Sequence, residues 1–279
     1  MRYIEIKAPA KINIGLDILS KRDDGFHNLN TLFYPINDLF DALYMERSDN
    51  FSFSCSDNSI PNDESNLVVK AKNLLEKISG KHINVKIDLH KIIPSQAGLG
   101  GGSSDAAATL ISLNEMFHLG IKHESMLKIA LDLGSDVPFF IKAKPAIGTS
   151  RGEILEQVNL EINKPILIVN PGINVSTGEA FSFINPVDKP TNYKSAIVND
   201  ELDYPKAMQL IKNDFEEVVF KKYPEIGVIK NLCLSNGALF SLMSGSGSTV
   251  YAIFNSEEEA NKVRRLLPQN YFMFLSLPQ

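Results

Sequence analysis

At 279 residues, with 44% apolar and 22% charged side chains, the chain can bury a sizeable core in one large domain or two ordinary ones. Its 28 Lys and Arg against 33 Asp and Glu leave a net charge of −5. Without a basic tract, that balance argues against a nucleic-acid or anionic-membrane partner, so any anionic ligand needs a local site.

The two cysteines, Cys55 and Cys233, form no C-x-x-C, and the five histidines form no H-E-x-x-H or Cys/His group. A zinc site is therefore not expected, and a reducing compartment is. No signal-peptide core and no apolar run of about 20 residues is present, so the protein is expected to stay in the cytoplasm.

Alternation of apolar with polar residues in MRYIEIKAPAKINIGLDI predicts two strands broken at Pro9. Strand-like runs follow at 29–36 and 41–47. Residues 67–79 predict a helix, with Leu67, Ala71, Leu74, Leu75 and Ile78 on one side. Ile83, Val85, Ile87 and Leu89 then alternate as a strand. A glycine-rich loop feeds a helix predicted over 104–117, and another is predicted over 124–133, just before GSDVPFF.

A strand at 166–169 opens the second half, and the proline-bearing stretch 185–205 reads as a long surface loop. Helices over 206–221 and 224–235 lead to strand ALFSLM, loop SGSGST, strand VYAIF and helix EEEANKVRRLL. Runs of strands alternating with helix pairs indicate an α+β fold in place of regular βαβ winding. Two domains are expected, 1–155 and 156–279.

The segment Gly98-Leu99-Gly100-Gly101-Gly102-Ser103-Ser104-Asp105 carries the most chemical information. Its glycines allow left-handed backbone and close approach to a ligand. It runs into a helix whose first amides lack intrahelical partners and sit at the positive end of the dipole. Together these make an anion cradle, typically for phosphate, to which Ser103 and Ser104 add hydroxyls. The loop lacks the lysine of G-x-x-x-x-G-K-[ST], and Ser103 breaks G-x-G-x-x-G. The plainer alternative is a turn with Ser104 or Asp105 as an ordinary N-cap. A second glycine loop, Ser244 to Thr249, could be no more than a hairpin.

Three segments, PAKINIGLDILSKRDDGFHNLNTLF (9–33), IPSQAGLGGGSSDAAATL (93–110) and LMSGSGSTVYAIF (242–254), together resemble the three motifs of the GHMP small-molecule kinases. The first is similar to the branch acting on a cytidine diphosphate-linked methylerythritol, on the non-mevalonate route to isoprenoids. The resemblance implies a two-domain α+β fold. Its N-terminal domain would be like ribosomal protein S5 domain 2, and its C-terminal domain ferredoxin-like. ATP and Mg2+ would be the cofactors.

The family's nucleotide loop maps onto Pro94, Ser95, Gln96, Ala97, Gly98, Leu99, Gly100, Gly101, Gly102, Ser103 and Ser104. Its catalytic pair maps onto Lys11 and Asp136, and its cytidine-binding residues onto Asn13, Phe26, His27, Thr177 and Phe181. Phe26 replaces a common tyrosine, which keeps the stacking ring and loses the hydroxyl. The match at 177–181 rests on one short spacing. Metal ligands are not assigned.

The partner implied is a small-molecule substrate, with no nucleic acid or membrane, on a monomer or weak homodimer. Taken singly, Lys11 could be a solvated strand residue, Asp136 a helix N-cap, His27 a turn residue and Phe26 part of the core. Competing functions are another GHMP kinase, for homoserine, mevalonate or a sugar, and a non-catalytic nucleotide-binding regulator. The KRDDGFH segment suits a flat base, which argues against the first. Retention of Lys11 and Asp136 argues against the second.

Overall fold

The computed structural model describes every residue except Met1, Asn185, Val187, Asp188 and Gln279. Alternation carries the first strand further than expected: β1 (Tyr3–Lys21) runs through Pro9 as one strand of 19 residues. Lys11 and Asn13 turn their N–H groups to the Leu99 carbonyl (2.9 Å) and the Ser244 hydroxyl (3.2 Å). By the twofold repeat of a strand, Pro9 faces that same side, so its missing N–H removes no bond to the neighbouring strand. β2 (His27–Arg47) likewise joins both expected strands into one of 21 residues.

β3 (Ser52–Cys55) and α1 (Leu67–Ser79) follow. The helix has its expected bounds because Asn66 caps its start, accepting from the Val68 N–H at 2.8 Å, and Gly80 (φ 65°) ends it in the left-handed region. After β4 (Val85–His90), α2 (Gly101–Met116) begins three residues earlier than the predicted 104, so Gly101 and Gly102 belong to its first turn. Then come α3 (His123–Leu133), α4 (Val137–Phe140), β5 (Ala146–Ser150), β6 (Ile154–Gln157), β7 (Ile166–Asn170) and α5 (Thr177–Ser182).

The stretch expected as a surface loop, insofar as it lies within the described residues, is structured. It holds a 3₁₀ turn at Tyr193–Ala196, the short pair β8 (Ile197–Val198) and β9 (Glu201–Leu202), and the start of α6 (Tyr204–Leu210). Its anchor is Tyr193, 1% exposed, whose hydroxyl donates to the Asn30 carbonyl at 3.1 Å. The Asp17 carboxylate accepts from the Thr191 N–H (2.7 Å) and hydroxyl (2.9 Å). Counting prolines hides such anchoring.

The helix expected over 206–221 is two, α6 and α7 (Phe215–Lys222). Residues between them serve other elements. The Lys212 carbonyl accepts from the Leu16 N–H at 2.9 Å, and the Asn213 amide donates to the Met243 and Gly245 carbonyls at 2.7 and 2.8 Å. α8 (Pro224–Ser235), β10 (Phe240–Met243), β11 (Val250–Ile253), α9 (Glu257–Leu266) and β12 (Phe272–Ser276) complete the chain.

The chain groups into two compact units, and β1 and β2 contribute to both. The first comprises Met1–Ala10, Pro35–Ser95 and Gly100–Lys144. There the later half of β2 pairs antiparallel with β4, Leu43 opposite Leu89, while β3 lies parallel to β4. Leu43, Met45, Ile87 and Leu89 are buried, as are Val68, Ala71 and Leu75 of α1 and Leu110 and Leu113 of α2.

The second unit comprises Lys11–Tyr34, Gln96–Leu99 and Pro145–Gln279. There β5 pairs with the early half of β2 and with β6, and an antiparallel sheet runs in the order β10-β11-β7-β12. Its core joins Leu167, Val169, Val250 and Ala252 of the sheet to Phe215 and Val219 of α7, Ile226 and Ile229 of α8, and Ala260 and Val263 of α9. The mixed α+β class expected from the sequence is the class observed.

Gly15 sits in β1 with φ 87°, and a Cβ there would overlap the Tyr193 ring and stand 2.7 Å from Ile211. Gly15→Ala combines a strained backbone with overpacking and should cost about 2–5 kcal/mol of stability. Urea unfolding checks this: the midpoint should drop sharply with the m-value unchanged.

Candidate active site

Between β4 and α2 the backbone turns on left-handed residues Gln96 (φ 52°), Gly98 (φ 77°) and Gly100 (φ 73°). At Gly98 a Cβ would overlap the Ser244 carbonyl oxygen and stand 3.3 Å from that of Gly247, so glycine is required there. Three successive carbonyls of the loop, those of residues 97 to 99, are engaged: Leu99 accepts from the Lys11 N–H (2.9 Å) and Ala97 from the Thr249 N–H (3.3 Å). The Gly98 carbonyl accepts from the Ser244 hydroxyl at 2.8 Å, and that same hydroxyl accepts from the Asn13 N–H at 3.2 Å. All three motifs singled out in the sequence therefore meet through main-chain hydrogen bonds.

With those carbonyls held, amides are what the loop offers a ligand. In α2 the Ser104 N–H bonds back to the Gly100 carbonyl at 2.9 Å, and Gly100 is the N-cap. The N–H groups of Gly101, Gly102 and Ser103 precede it, with no carbonyl four residues back within the helix. Gly102 is exposed and Ser103 half-buried, while Ser104 is buried with a hydroxyl that has no hydrogen-bond partner. Pro94 is half-buried, Ser95 and Gln96 exposed, Ala97 and Leu99 buried. Such a helix start, 16 residues of aligned dipoles behind it, fits the anionic phosphates of ATP.

Lys11 is 3% exposed, so it is no solvated strand residue. Its ammonium donates to the Asn13 side-chain oxygen at 2.6 Å and stands 5.5 Å from the centre of the Phe33 ring. The buried Asn13 donates its amide to the Thr31 hydroxyl at 2.8 Å, and its carbonyl accepts from the Tyr251 hydroxyl at 3.1 Å.

Phe26 is no core residue: it is 45% exposed at the turn between β1 and β2, with the Arg151 guanidinium 3.6 Å from its ring centre. His27 stacks on Phe181, centroids 4.4 Å apart and planes at 9°. Burial, then the charge of Lys21, hold its pKa below the usual imidazole value, so at neutral pH it is an uncharged flat ring. Phe181 meets Phe215 edge-on at 4.8 Å, and the Thr177 hydroxyl hydrogen-bonds that of Ser246 at 2.7 Å. The short spacing at 177–181 thus falls on one helix, α5, next to His27 and the second glycine loop. Asp136 belongs to the first unit, where it precedes α4 and makes no side-chain cap bond.

The sequence reading missed a buried ionic cluster. The Lys91 side chain, 6% exposed, bridges Asp41 and Asp105, at 2.8 Å from the latter. Asp105 is not the N-cap of α2, since Gly100 is; it lies in the helix and turns to Lys91. The available signal was a lysine closing an apolar strand just before the loop and an aspartate just after it.

These features define a kinase of the GHMP class. Residues 66–144 match the GHMP kinases N terminal domain family and residues 196–272 match the GHMP kinases C terminal family. A protein of Thermoanaerobacter pseudethanolicus named 4-diphosphocytidyl-2-C-methyl-D-erythritol kinase is 38% identical over 99% of this chain and 96% of its own length. One of the same name from Chlorobium chlorochromatii is 37% identical over 96% of this chain and 94% of its own.

A crystal structure of a 4-(cytidine 5'-diphospho)-2C-methyl-D-erythritol kinase superposes with TM-score 0.84 at 30% identity, covering 98% of both chains. The chain belongs to the family of 4-diphosphocytidyl-2-C-methyl-D-erythritol kinases. A homoserine kinase from Cytophaga hutchinsonii, 19% identical with TM-score 0.70 over 100% of this chain and 95% of that one, shares the fold.

The buried cluster gives stability a pH signature. Burial, offset by Lys91 and reinforced by Asp41, pushes Asp105 from 3.8 up to about 7. An unfolded chain releases this proton near 3.8, so between there and about 7 the folded state holds more protons. Stability should therefore fall as pH rises through that window and level off above it. Asp105→Asn removes this contribution, so its denaturation midpoint should gain on that of the unmutated protein from pH ~4 to ~8. A constant gap between the two would contradict it.

Proposed function

We propose that this ATP-dependent small-molecule kinase phosphorylates the 2-hydroxyl of 4-diphosphocytidyl-2-C-methyl-D-erythritol in the non-mevalonate isoprenoid route. The observation that carries this is the joining of β1, the glycine loop and the 244–249 loop by main-chain bonds, in a chain related end to end to kinases of that name. The same reading makes it a cytoplasmic protein, monomer or weak homodimer, without nucleic-acid or membrane partners. Among the described residues no helix is long and apolar enough to cross a membrane.

In this reading the residues from Pro94 to Ser104 hold the nucleotide, with loop amides and the start of α2 on its phosphates. Phosphoryl transfer passes through a loose transition state, so positioning and charge stabilisation dominate. Lys11, buried and aimed by Asn13, presents its positive charge where water screens it weakly. Asp136 orients the acceptor hydroxyl and takes its proton as the bond to phosphorus forms.

Magnesium, bound with the nucleotide, would neutralise charge on the transferring phosphates. Phe26, His27 and Phe181 present flat rings to cytosine and Thr177 adds a hydroxyl to that end, while Asn13, its side chain held between Lys11 and Thr31, acts on the substrate through Lys11.

Asp136→Asn should fold normally and lower kcat about 10²- to 10⁴-fold, the range for a lost proton acceptor; near-normal kcat would remove the role assigned to it. Base stacking on an aromatic is worth about 1–3 kcal/mol, so Phe26→Ala should raise KM for the cytidyl substrate about 5- to 100-fold, far more than for ATP. A coupled assay with the cytidyl compound against mevalonate and homoserine tests the substrate itself. Preference for either of the latter would overturn the proposal.

A further inference from the structure

The Asp41–Lys91–Asp105 cluster takes no part in the chemistry above, yet its bonds converge on the glycine loop. Asp41, fully buried on β2, uses one carboxylate oxygen to accept from the Ile92 and Ile93 N–H groups at 2.5 and 2.9 Å. These residues lead into the loop. Its other oxygen accepts from the Lys91 ammonium, which also donates to Asp105 at 2.8 Å, in the first turns of the helix that leads out. Gly101 closes the arrangement: a Cβ there would stand 3.1 Å from the Lys91 ammonium and 3.0 Å from the Ile93 side chain. Entry and exit of the loop are thus tied at one buried point.

We propose that this cluster is the clasp of the nucleotide loop, with Lys91 and Asp105 as positioning residues that set the spacing of the loop's two ends and so the convergence of its amides. The inference rests on the reading of residues 94–104 as the nucleotide site. A loop this rich in glycine has a large conformational entropy, which a ligand would otherwise have to remove on binding. Fixing both ends removes part of it beforehand.

The charge count favours a positioning role for Asp105 over a purely structural one. Two carboxylates face one ammonium, and one Asp105 oxygen is buried with no hydrogen-bond partner. Without Asp105, Lys91 and Asp41 remain a neutral pair, so the fold loses little while the exit tie is lost. The charged and titratable groups around Asp105 are Asp41 of β2, Lys91 after β4, and Cys55 of β3.

The test is Asp105→Ala beside Asp105→Asn, which keeps an oxygen for Lys91. In steady-state kinetics Asp105→Ala should raise KM for MgATP about tenfold, with kcat and KM for the cytidyl substrate within about twofold. Asp105→Asn should recover most of that rise. An unchanged KM for MgATP, a parallel loss in all parameters, or an Asn variant no better than Ala would each overturn the clasp.

Amide hydrogen exchange on the unmutated protein answers the question even if Asp105→Ala fails to fold. The Ile92 and Ile93 amides should exchange as slowly as those within β4, and fast exchange would overturn the clasp. Adding MgATP separates the two layers. Slowed exchange at Gly98–Ser104 with unchanged KM in Asp105→Ala sinks the clasp alone, whereas no slowing sinks the nucleotide-loop reading beneath it.

Discussion

The carbonyl oxygens of Ala97, Gly98 and Leu99 are taken by Thr249, Ser244 and Lys11, donors distant in the chain. This pairing decides what the loop can bind. A peptide loop carries as many carbonyls as amides, and carbonyls turned toward a triphosphate would repel it. Drawing them into bonds with β1 and the 244–249 loop leaves the amides of residues 97–99 as the free backbone polarity of that stretch, just before the positive end of α2. The fit depends on the absence of a side chain at Gly98, where the Ser244 carbonyl occupies the space a Cβ would need.

Charge is distributed on the same principle. The net charge of −5 gives no general attraction for a nucleotide, so positive potential has to be local. Lys11 is buried and held by Asn13, which Thr31 holds in turn. Lys91 is as deeply placed but opposed by two carboxylates, so it acts as a tie and not as an anion receptor. Two buried lysines with different surroundings thus have different work. Exposed Phe26, with the Arg151 guanidinium over its ring, and the His27–Phe181 stack supply flat ring surface.

Much of the fold was legible from periodicity. The bounds of α1 follow from its capping residues, and the strands β4, β7, β10 and β11 follow from alternation or apolar runs. Failures came where a distant partner overrode a local signal. Pro9 reads as a break until Lys11 and Asn13 are seen bonding away from β2. Helical spacing continues through 211–214, but Lys212 and Asn213 give their polar groups to β1 and to residues around the second glycine loop. The prolines of 185–205 suggested a solvated loop, although Tyr193 within it is among the most buried side chains.

For the site, the glycine loop was readable from backbone chemistry, while Lys11 and Phe26 were each better explained locally by the wrong reading. Their burial and exposure depend on contacts far along the chain. Asp41 carried no local mark at all.

Titration calorimetry of MgATP against the unmutated protein and Gly98→Ala addresses the central interaction most directly. The added methyl group should force the loop segments at Ser244 and Gly98 apart, lowering nucleotide affinity at least about tenfold while a folded protein remains. Equal affinities in the two proteins, or no binding heat with the unmutated one, would contradict a triphosphate held by these loop amides.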